Sequence, residues 1–374
     1  MKKAVIFLAV VLVFVNQTFV SALGTSAKGA VVLNGDTGEI LWDSNCEKRL
    51  PMASTTKIMT GLLLCEEGGL DREITVKDEM VRVEGTSMGL LAGDRVTLHD
   101  LLYGLMLSSG NDAANVIAYT LGGSVNGFVK LMNQKAEELG LKNTHFDTPS
   151  GLDGETHYTS AYDLASLARY ALNNEDFAKA VSSKSAVLNY GNPPYRRTLT
   201  NHNKMLKIFD GAIGVKTGFT KKSGRCLVSA AKRDGEFVIA VTLSDPNDWK
   251  DHTEMLEYGF EKISITSAEP EKSEYSLPVI GSDTKSINIK IEPQEFSVSG
   301  DEKITCQVKI PSFVYAPLKP DEKIGSISYK SGDKTVKEVD ILAGEEIKAL
   351  EQKPNFIREI KENFKYIFYG LWEK

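Results

Sequence analysis

The stretch that most constrains the fold begins at Met52 and runs M-A-S-T-T-K. The residues that follow it, Ile58 to Cys65, place apolar side chains on all sides of a helix rather than along one stripe. A helix that is apolar all round is buried, so the chain must build further layers of structure around this one. Ser54 and Lys57 stand three residues apart, and on a helix their side chains share one face.

This pairing is suited to nucleophilic catalysis. Burial penalises the ammonium form of a lysine and lowers its pKa, so that the amine can accept a proton from a serine one turn away. The helix N-terminus adds backbone N–H groups for a developing oxyanion. The S-x-x-K pattern begins at Ser54, Ser229, Ser282 and Ser331, and only Ser54 opens a long apolar helix. An ordinary N-cap serine is the competing interpretation.

The N-terminus is typical of a secretory signal peptide. Two lysines precede an apolar run from Ala4 to Val15, and Val20-Ser21-Ala22 has the small residues of a cleavage site. The run is short for a membrane span. We expect residues 1–22 to be a signal peptide and the protein to be exported, with an uncleaved anchor as the alternative.

Composition limits the remaining function classes. The net charge of −6 comes without a basic cluster, so we expect no nucleic-acid partner. The five histidines and four cysteines have no metal-ligand spacing, and we expect neither a metal nor another cofactor. A chain of 374 residues is long enough for two domains.

Periodicity predicts a mixed domain around the Ser54 helix. A hairpin is predicted at residues 29–42, further helices at 98–119, 128–141, 159–172 and 252–260, and an antiparallel meander at 211–243. From residue 264, alternating apolar and polar residues at 286–291, 304–310, 325–329 and 336–341 predict the strands of a small β-sandwich or barrel.

Two polar motifs are candidates for the same site as Ser54. Ser109-Gly110-Asn111 interrupts the helical region 98–119, either as a helix–helix turn or as a loop that presents Ser109 and Asn111 to a cleft. K-T-G occurs once, beginning at Lys216, on a predicted edge strand. Lys216 and Thr217 either face a cleft, or Lys216 is a solvent-exposed lysine that protects the sheet edge from aggregation. His157, in the long loop 148–158, is interpreted as a structural hydrogen-bonding residue.

The tail, residues 351–374, has the pattern of an amphipathic helix. At 100° per residue, one side of this helix carries eight apolar residues and the charges mostly occupy the other; the eight are Phe356, Ile357, Ile360, Phe364, Ile367, Phe368, Leu371 and Trp372. We expect this helix to lie in a membrane interface; a helix docked on the β-domain or on a second copy is the alternative.

The three motifs, beginning at Ser54, Ser109 and Lys216, stand in the order and rough spacing of the serine penicillin-recognising enzymes. Their surroundings resemble the low-molecular-weight D-alanyl-D-alanine carboxypeptidases. The resemblance implies an α+β/β multi-domain fold: a β-lactamase/transpeptidase-like catalytic domain (23–263), in which helices flank an antiparallel sheet, then a small all-β domain (264–350). The amphipathic helix (351–374) would hold the protein at the extracytoplasmic face of the bacterial cytoplasmic membrane.

The resemblance also implies a role for each site residue. Ser54 would attack the penultimate D-alanine of a peptidoglycan stem pentapeptide, Lys57 would take its proton, Ser109 would relay a proton to the leaving amine, and Asn111 would orient Lys57 and the substrate amide. The remaining implied roles are carboxylate binding by Lys216 and Thr217, and an oxyanion hole from the backbone N–H groups of Ser54 and Phe219. Gly218 lets the substrate backbone approach. β-Lactams should acylate Ser54.

Residues 244–252 contain no arginine, so carboxylate binding would depend on Lys216, Thr217 or Lys250. Three alternatives stay open from the sequence. A class A β-lactamase shares the three motifs, and its deacylating carboxylate would come from Asp153 or Glu155. A D,D-endopeptidase would act on cross-links, and a non-catalytic envelope protein would use the fold to bind peptidoglycan.

Overall fold

The computed structural model describes residues 23–300 and 302–350; the predicted signal peptide and amphipathic tail lie outside them. These residues form two compact units. The first comprises residues 23–33, 42–231 and 239–258, and the second comprises 34–41, 232–238, 259–300 and 302–350.

Several helices begin after a capping residue whose side-chain oxygen accepts a backbone N–H of the first turn. For example, Thr97 and Asp100 form a reciprocal capping box at the start of one helix. The helices are α1 Lys57–Glu67, α2 Asp78–Val81, α3 Leu98–Leu107, α4 Asn111–Gly122, α5 Val125–Glu138, α6 Ala161–Ala171, α7 Glu175–Ser182, α8 Met205–Ile208 and α9 Asp248–Lys262.

The strands form two sheets before α9 and three smaller sheets after it. The first nine strands are β1 Gly29–Asn34, β2 Ile40–Ser44, β3 Glu73–Thr75, β4 Arg95–Thr97, β5 Ser185–Gly191, β6 Pro194–Thr200, β7 Ala212–Thr220, β8 Gly224–Arg233 and β9 Glu236–Leu243. The last eight are β10 Ile263–Ala268, β11 Glu274–Ile280, β12 Ser286–Lys290, β13 Gln294–Ser299, β14 Ile304–Lys309, β15 Val314–Tyr315, β16 Lys323–Ser331 and β17 Lys334–Leu342.

A five-stranded sheet with the order β2-β1-β9-β8-β7 supports the site. Strand β7 lies at its edge and pairs antiparallel with β8, as the sequence predicted for the K-T-G stretch. A second, four-stranded sheet has the order β3-β4-β5-β6. An edge strand leaves one row of backbone groups free for an extended ligand.

Helix α1 is buried nearly all round, which confirms its prediction as a central helix. Ile58, Met59 and Leu64 are fully buried, and α1 packs against α3, α4, α5, α6 and α7. Ser54 lies in a short 3-10 turn, Ala53–Thr56, that leads into the helix rather than in the α-helix itself. The turn gives the nucleophile candidate a position at the surface of the buried core.

The second unit contains sheets of order β10-β13, β12-β11-β15 and β14-β16-β17 around its own apolar core. Predicted strands near 286–291, 304–310, 325–329 and 336–341 are confirmed, whereas β10, β11, β13 and β15 were not predicted. Within the described ranges, no helix combines the length and the apolar character that a membrane span requires.

Candidate active site

The side chain of Lys57 has three hydrogen-bond partners contributed by three separate segments. Its Nζ lies 3.0 Å from Ser54 Oγ, 2.8 Å from Asn111 Oδ1 and 2.6 Å from the carbonyl oxygen of Ser150. The side chain is 0% exposed. Burial lowers the pKa of Lys57 well below its usual value, and the nearby charge of Lys216 lowers it further.

The orientation of the neutral Lys57 amine follows from which of its partners can only accept hydrogen bonds. Asn111 donates from Nδ2 to the carbonyl of Glu84 at 2.7 Å, which fixes its Oδ1 as the atom that faces Lys57. Asn111 Oδ1 and the Ser150 carbonyl can only accept, so they take both N–H bonds of a neutral amine. The lone pair of Lys57 then faces Ser54 Oγ, the geometry of a general base with its nucleophile.

A second set of contacts fixes the turn that carries Ser54. The His157 Nδ1 atom accepts the backbone N–H of Asp147, so its Nε2–H donates to the Thr56 hydroxyl at 2.7 Å, which donates to the Ala53 carbonyl at 2.8 Å. Burial lowers the pKa of His157 to about 4, which keeps the ring neutral. The interpretation of His157 as a structural residue therefore agrees with its surroundings.

Ser109 and Lys216 form a second hydrogen-bonded pair at the cleft. Lys216 Nζ donates to Ser109 Oγ at 3.1 Å and to the Thr217 carbonyl at 2.9 Å. Lys216 is 1% exposed, and burial lowers its pKa to about 7. Ser109 has a φ of 58°, and its carbonyl accepts a hydrogen bond from Thr86. The polar interruption between α3 and α4 is thus a short helix–helix connection, residues 108–110, that presents Ser109 to the cleft, while Asn111 faces the cleft from the first residue of α4.

Gly218 is required by the close approach of β7 to the nucleophile turn. A Cβ atom at this position would lie 3.0 Å from the backbone nitrogen of Ser54 and 3.1 Å from the Met52 carbonyl oxygen. Its neighbours Thr217 and Phe219 also line the cleft, and Phe219 is 66% exposed. The edge strand and the start of α1 thereby form the two walls of one crevice.

Asp112 organises a further wall that the sequence motifs did not predict. Its carboxylate accepts hydrogen bonds at 2.6–3.0 Å from the Ser87 hydroxyl and from the backbone N–H groups of Met88, Gly89 and Leu90. In the same loop, which contains residues 86–90, the carbonyl oxygen of Thr86 accepts a hydrogen bond from the backbone N–H of Asn111. The position of Asp112, directly after Ser109-Gly110-Asn111, was the only signal in the sequence.

One cleft of about 440 Å³ contains most of the predicted site residues. Six of them line the cleft: Ser54, Ser109, Asn111, Thr217, Gly218 and Phe219. Lys57 and Lys216 are buried behind the lining, where Lys57 is hydrogen-bonded to Ser54 and Lys216 to Ser109. Lining residues that were not predicted are Gly85, Thr86, Ser150, Gly151, Leu152, His202, Lys204, Thr220, Arg225, Asp248 and Trp249. Lys250 is not among the described lining residues; it pairs with Glu254 on the exposed side of α9.

A serine hydroxyl at a helix start, a buried lysine as its base and a preformed cleft beside an edge strand define a serine-type hydrolase that works through an acyl-enzyme. Sequence comparison places the chain within this class. A model of the D-alanyl-D-alanine carboxypeptidase family matches residues 16–247, and one of the C-terminal domain of penicillin-binding protein 5 matches residues 260–349. The chain belongs to the D-alanyl-D-alanine carboxypeptidase family.

Individual relatives agree with this assignment. The chain is 32% identical to D-alanyl-D-alanine carboxypeptidase DacF of Bacillus subtilis, over 95% of this chain and 92% of that protein. The Streptomyces K15 DD-transpeptidase is 35% identical, with a TM-score of 0.61 over 64% of this chain and 98% of that one. The carboxypeptidase DacD from Francisella tularensis is 25% identical, with a TM-score of 0.63 over 87% and 95%. The predicted fold class, a transpeptidase-like domain with an all-β domain after it, is confirmed.

Proposed function

We propose that this protein removes the terminal D-alanine from peptidoglycan stem pentapeptides through an acyl-enzyme on Ser54. The observation that carries the proposal is the arrangement around Lys57. Two groups that can only accept hydrogen bonds, Asn111 Oδ1 and the Ser150 carbonyl, direct the lone pair of the neutral amine at the Ser54 hydroxyl. Family membership supports the substrate class.

In the first step, Ser54 Oγ attacks the carbonyl carbon of the penultimate D-alanine, and its proton passes to Lys57. The oxyanion accepts hydrogen bonds from the backbone N–H groups of Ser54 and Phe219 in this proposal. The tetrahedral intermediate collapses when the C–N bond breaks and the leaving D-alanine amine takes a proton through Ser109. Lys216 and Thr217 hold the terminal carboxylate, and water then hydrolyses the acyl-enzyme ester.

Two alternatives predict different products from the same cleft. In a class A β-lactamase, a carboxylate positions the water that attacks the acyl-enzyme. The loop 148–158 contributes Ser150, Gly151 and Leu152 to the described cleft lining, but neither Asp153 nor Glu155. We therefore expect stable labelling by a fluorescent penicillin and slow turnover of nitrocefin. Analysis of muropeptide products separates carboxypeptidase from endopeptidase activity.

The proposal is tested by Ser54→Ala. We expect this variant to lose both D-alanine release from a pentapeptide and penicillin labelling, with an unchanged circular dichroism spectrum. Ser282→Ala is the matched control, because Ser282 begins another S-x-x-K pattern in the second unit. Mass spectrometry of the labelled peptide locates the acylated residue. Unchanged D-alanine release by Ser54→Ala would refute the assignment.

We propose further that residues 1–22 direct export and that residues 351–374 attach the protein to the extracytoplasmic membrane surface. The charge and apolar pattern of both segments support this location. Deletion of residues 355–374 is expected to move the protein from the membrane fraction to the soluble fraction. Retention in the membrane fraction would assign the attachment to another part of the chain.

A further inference from the structure

The proposed substrate ends in a carboxylate, and Lys216 is an incomplete counter-ion for it. Two of the three N–H groups of its ammonium form are already directed at Ser109 Oγ and at the Thr217 carbonyl. Because burial lowers the pKa of Lys216 to about 7, the side chain carries less positive charge at neutral pH than an exposed lysine does. A second, permanently charged group beside the cleft would bind the carboxylate over a wider range of pH.

Arg225 is such a group, and the sheet register places it beside the K-T-G strand. It pairs with Phe219 across β7 and β8, and both residues line the cleft. Thr217 lies two residues from Phe219 and so on the same face of β7. Diagonal neighbours on one face of a sheet are within reach of a long side chain. The side chain of Arg225 is 41% exposed.

Two residues of the segment 244–252 hold the guanidinium. Its Nη2 donates to the buried carboxylate of Asp248 at 2.9 Å, and its Cζ lies 5.4 Å from the centre of the Trp249 ring. Its Nε is buried and has no hydrogen-bond partner among the described residues. A guanidinium has five N–H donors in a planar fork, so one carboxylate does not exhaust it. The segment 244–252, which contains no arginine of its own, thus positions Arg225 of strand β8.

We propose that Arg225 binds the terminal carboxylate of the substrate together with Thr217 and Lys216, and that it makes the enzyme specific for peptides with a free C-terminal acid. Asp248 and Trp249 position the guanidinium. The inference rests on the proposed function, since it assumes a substrate that ends in D-alanine.

The experiment compares an N-acylated lysyl-D-alanyl-D-alanine peptide with its C-terminal carboxamide. Loss of a charge-assisted hydrogen bond predicts that Arg225→Gln lowers kcat/KM for the acid by roughly 10- to 150-fold. For the carboxamide we expect a change of less than about 3-fold, because the uncharged end gains little from the guanidinium. Arg225→Lys should recover part of the loss. Arg196→Gln removes an exposed arginine outside the described cleft lining and is the matched control.

Each variant is its own control for folding, since both substrates are measured on the same protein. An equal loss on acid and carboxamide would assign Arg225 a purely structural role and overturn the proposal. No loss on either substrate would show that Lys216 and Thr217 suffice, and would also overturn it. If the wild-type protein releases no D-alanine, acylation of Ser54 by benzylpenicillin and by its methyl ester gives the same comparison. A failure of the carboxypeptidase assignment is therefore distinguishable from a failure of this inference.

Discussion

Activation of Ser54 depends on the charge of Lys57, and Asn111 is placed to alter that charge. Asn111 Oδ1 lies 2.8 Å from Lys57 Nζ, and both side chains are buried. The substitution Asn111→Asp keeps the shape of the side chain and replaces a neutral acceptor with a carboxylate. A carboxylate stabilises the ammonium form, so we expect the pKa of Lys57 to rise.

The distance sets the size of the effect. At an effective dielectric constant of about 20, two unit charges 2.8 Å apart attract each other by ~6 kcal/mol, or about 4 pH units. Even half of this rise lowers the fraction of neutral Lys57 by about 100-fold at any pH below the wild-type pKa. Loss of the neutral hydrogen bond alone, as in Asn111→Ala, costs about 1 kcal/mol, which is less than a 10-fold change in rate.

The assay is the second-order rate constant for acylation of Ser54 by a fluorescent penicillin, measured from pH 5 to 10. For Asn111→Asp we expect the acid limb of the pH–rate profile to shift to higher pH by about two to four units, with recovery of the rate constant at high pH. For Asn111→Ala we expect a lower rate with no upward movement. An acid limb that coincides with the wild-type limb in Asn111→Asp would show that Lys57 is not the group whose deprotonation limits acylation.

Two further substitutions test the packing of the site and its pH dependence. Gly218→Ala places a Cβ atom 3.0 Å from the backbone nitrogen of Ser54, and we expect a roughly 10- to 100-fold loss of acylation with little change in Tm. Gly344→Ala, where a Cβ atom meets nothing within 4 Å, is the control; equal acylation by both variants would contradict the close-approach argument. The pKa of His157 in the folded protein is about 4, below its usual value of 6.5. Between pH 6.5 and 4, the unfolded chain therefore binds a proton that the folded protein does not. Acidification over this range lowers the free energy of unfolding by ~3 kcal/mol. Urea unfolding should show a smaller fall for His157→Gln than for the half-exposed control His99→Gln, and equal falls would refute this assignment.

The chemistry of the site was largely predictable because its motifs are local. The spacing of Ser54 and Lys57, the apolar helix after them and the polar interruption at Ser109 are each contained in fewer than a dozen residues. Local patterns of this kind also predicted α1, the meander of β7 to β9 and the amphipathic helices. The β5–β6 hairpin and several strands of the second unit were missed, although β5 and β11 alternate exposed and more buried positions.

What the sequence determined by itself was which side chains carry the chemistry, since residue type and short-range spacing are written in the chain. What only the tertiary structure decided was the partner of each side chain. The Ser150 carbonyl reaches Lys57 from 93 residues away, and Ser109 meets Lys216 across 107 residues. Such contacts depend on how helices and sheet pack, and no local pattern encodes them. The same is true of Arg225, which lies beside the K-T-G strand only because β8 pairs with β7.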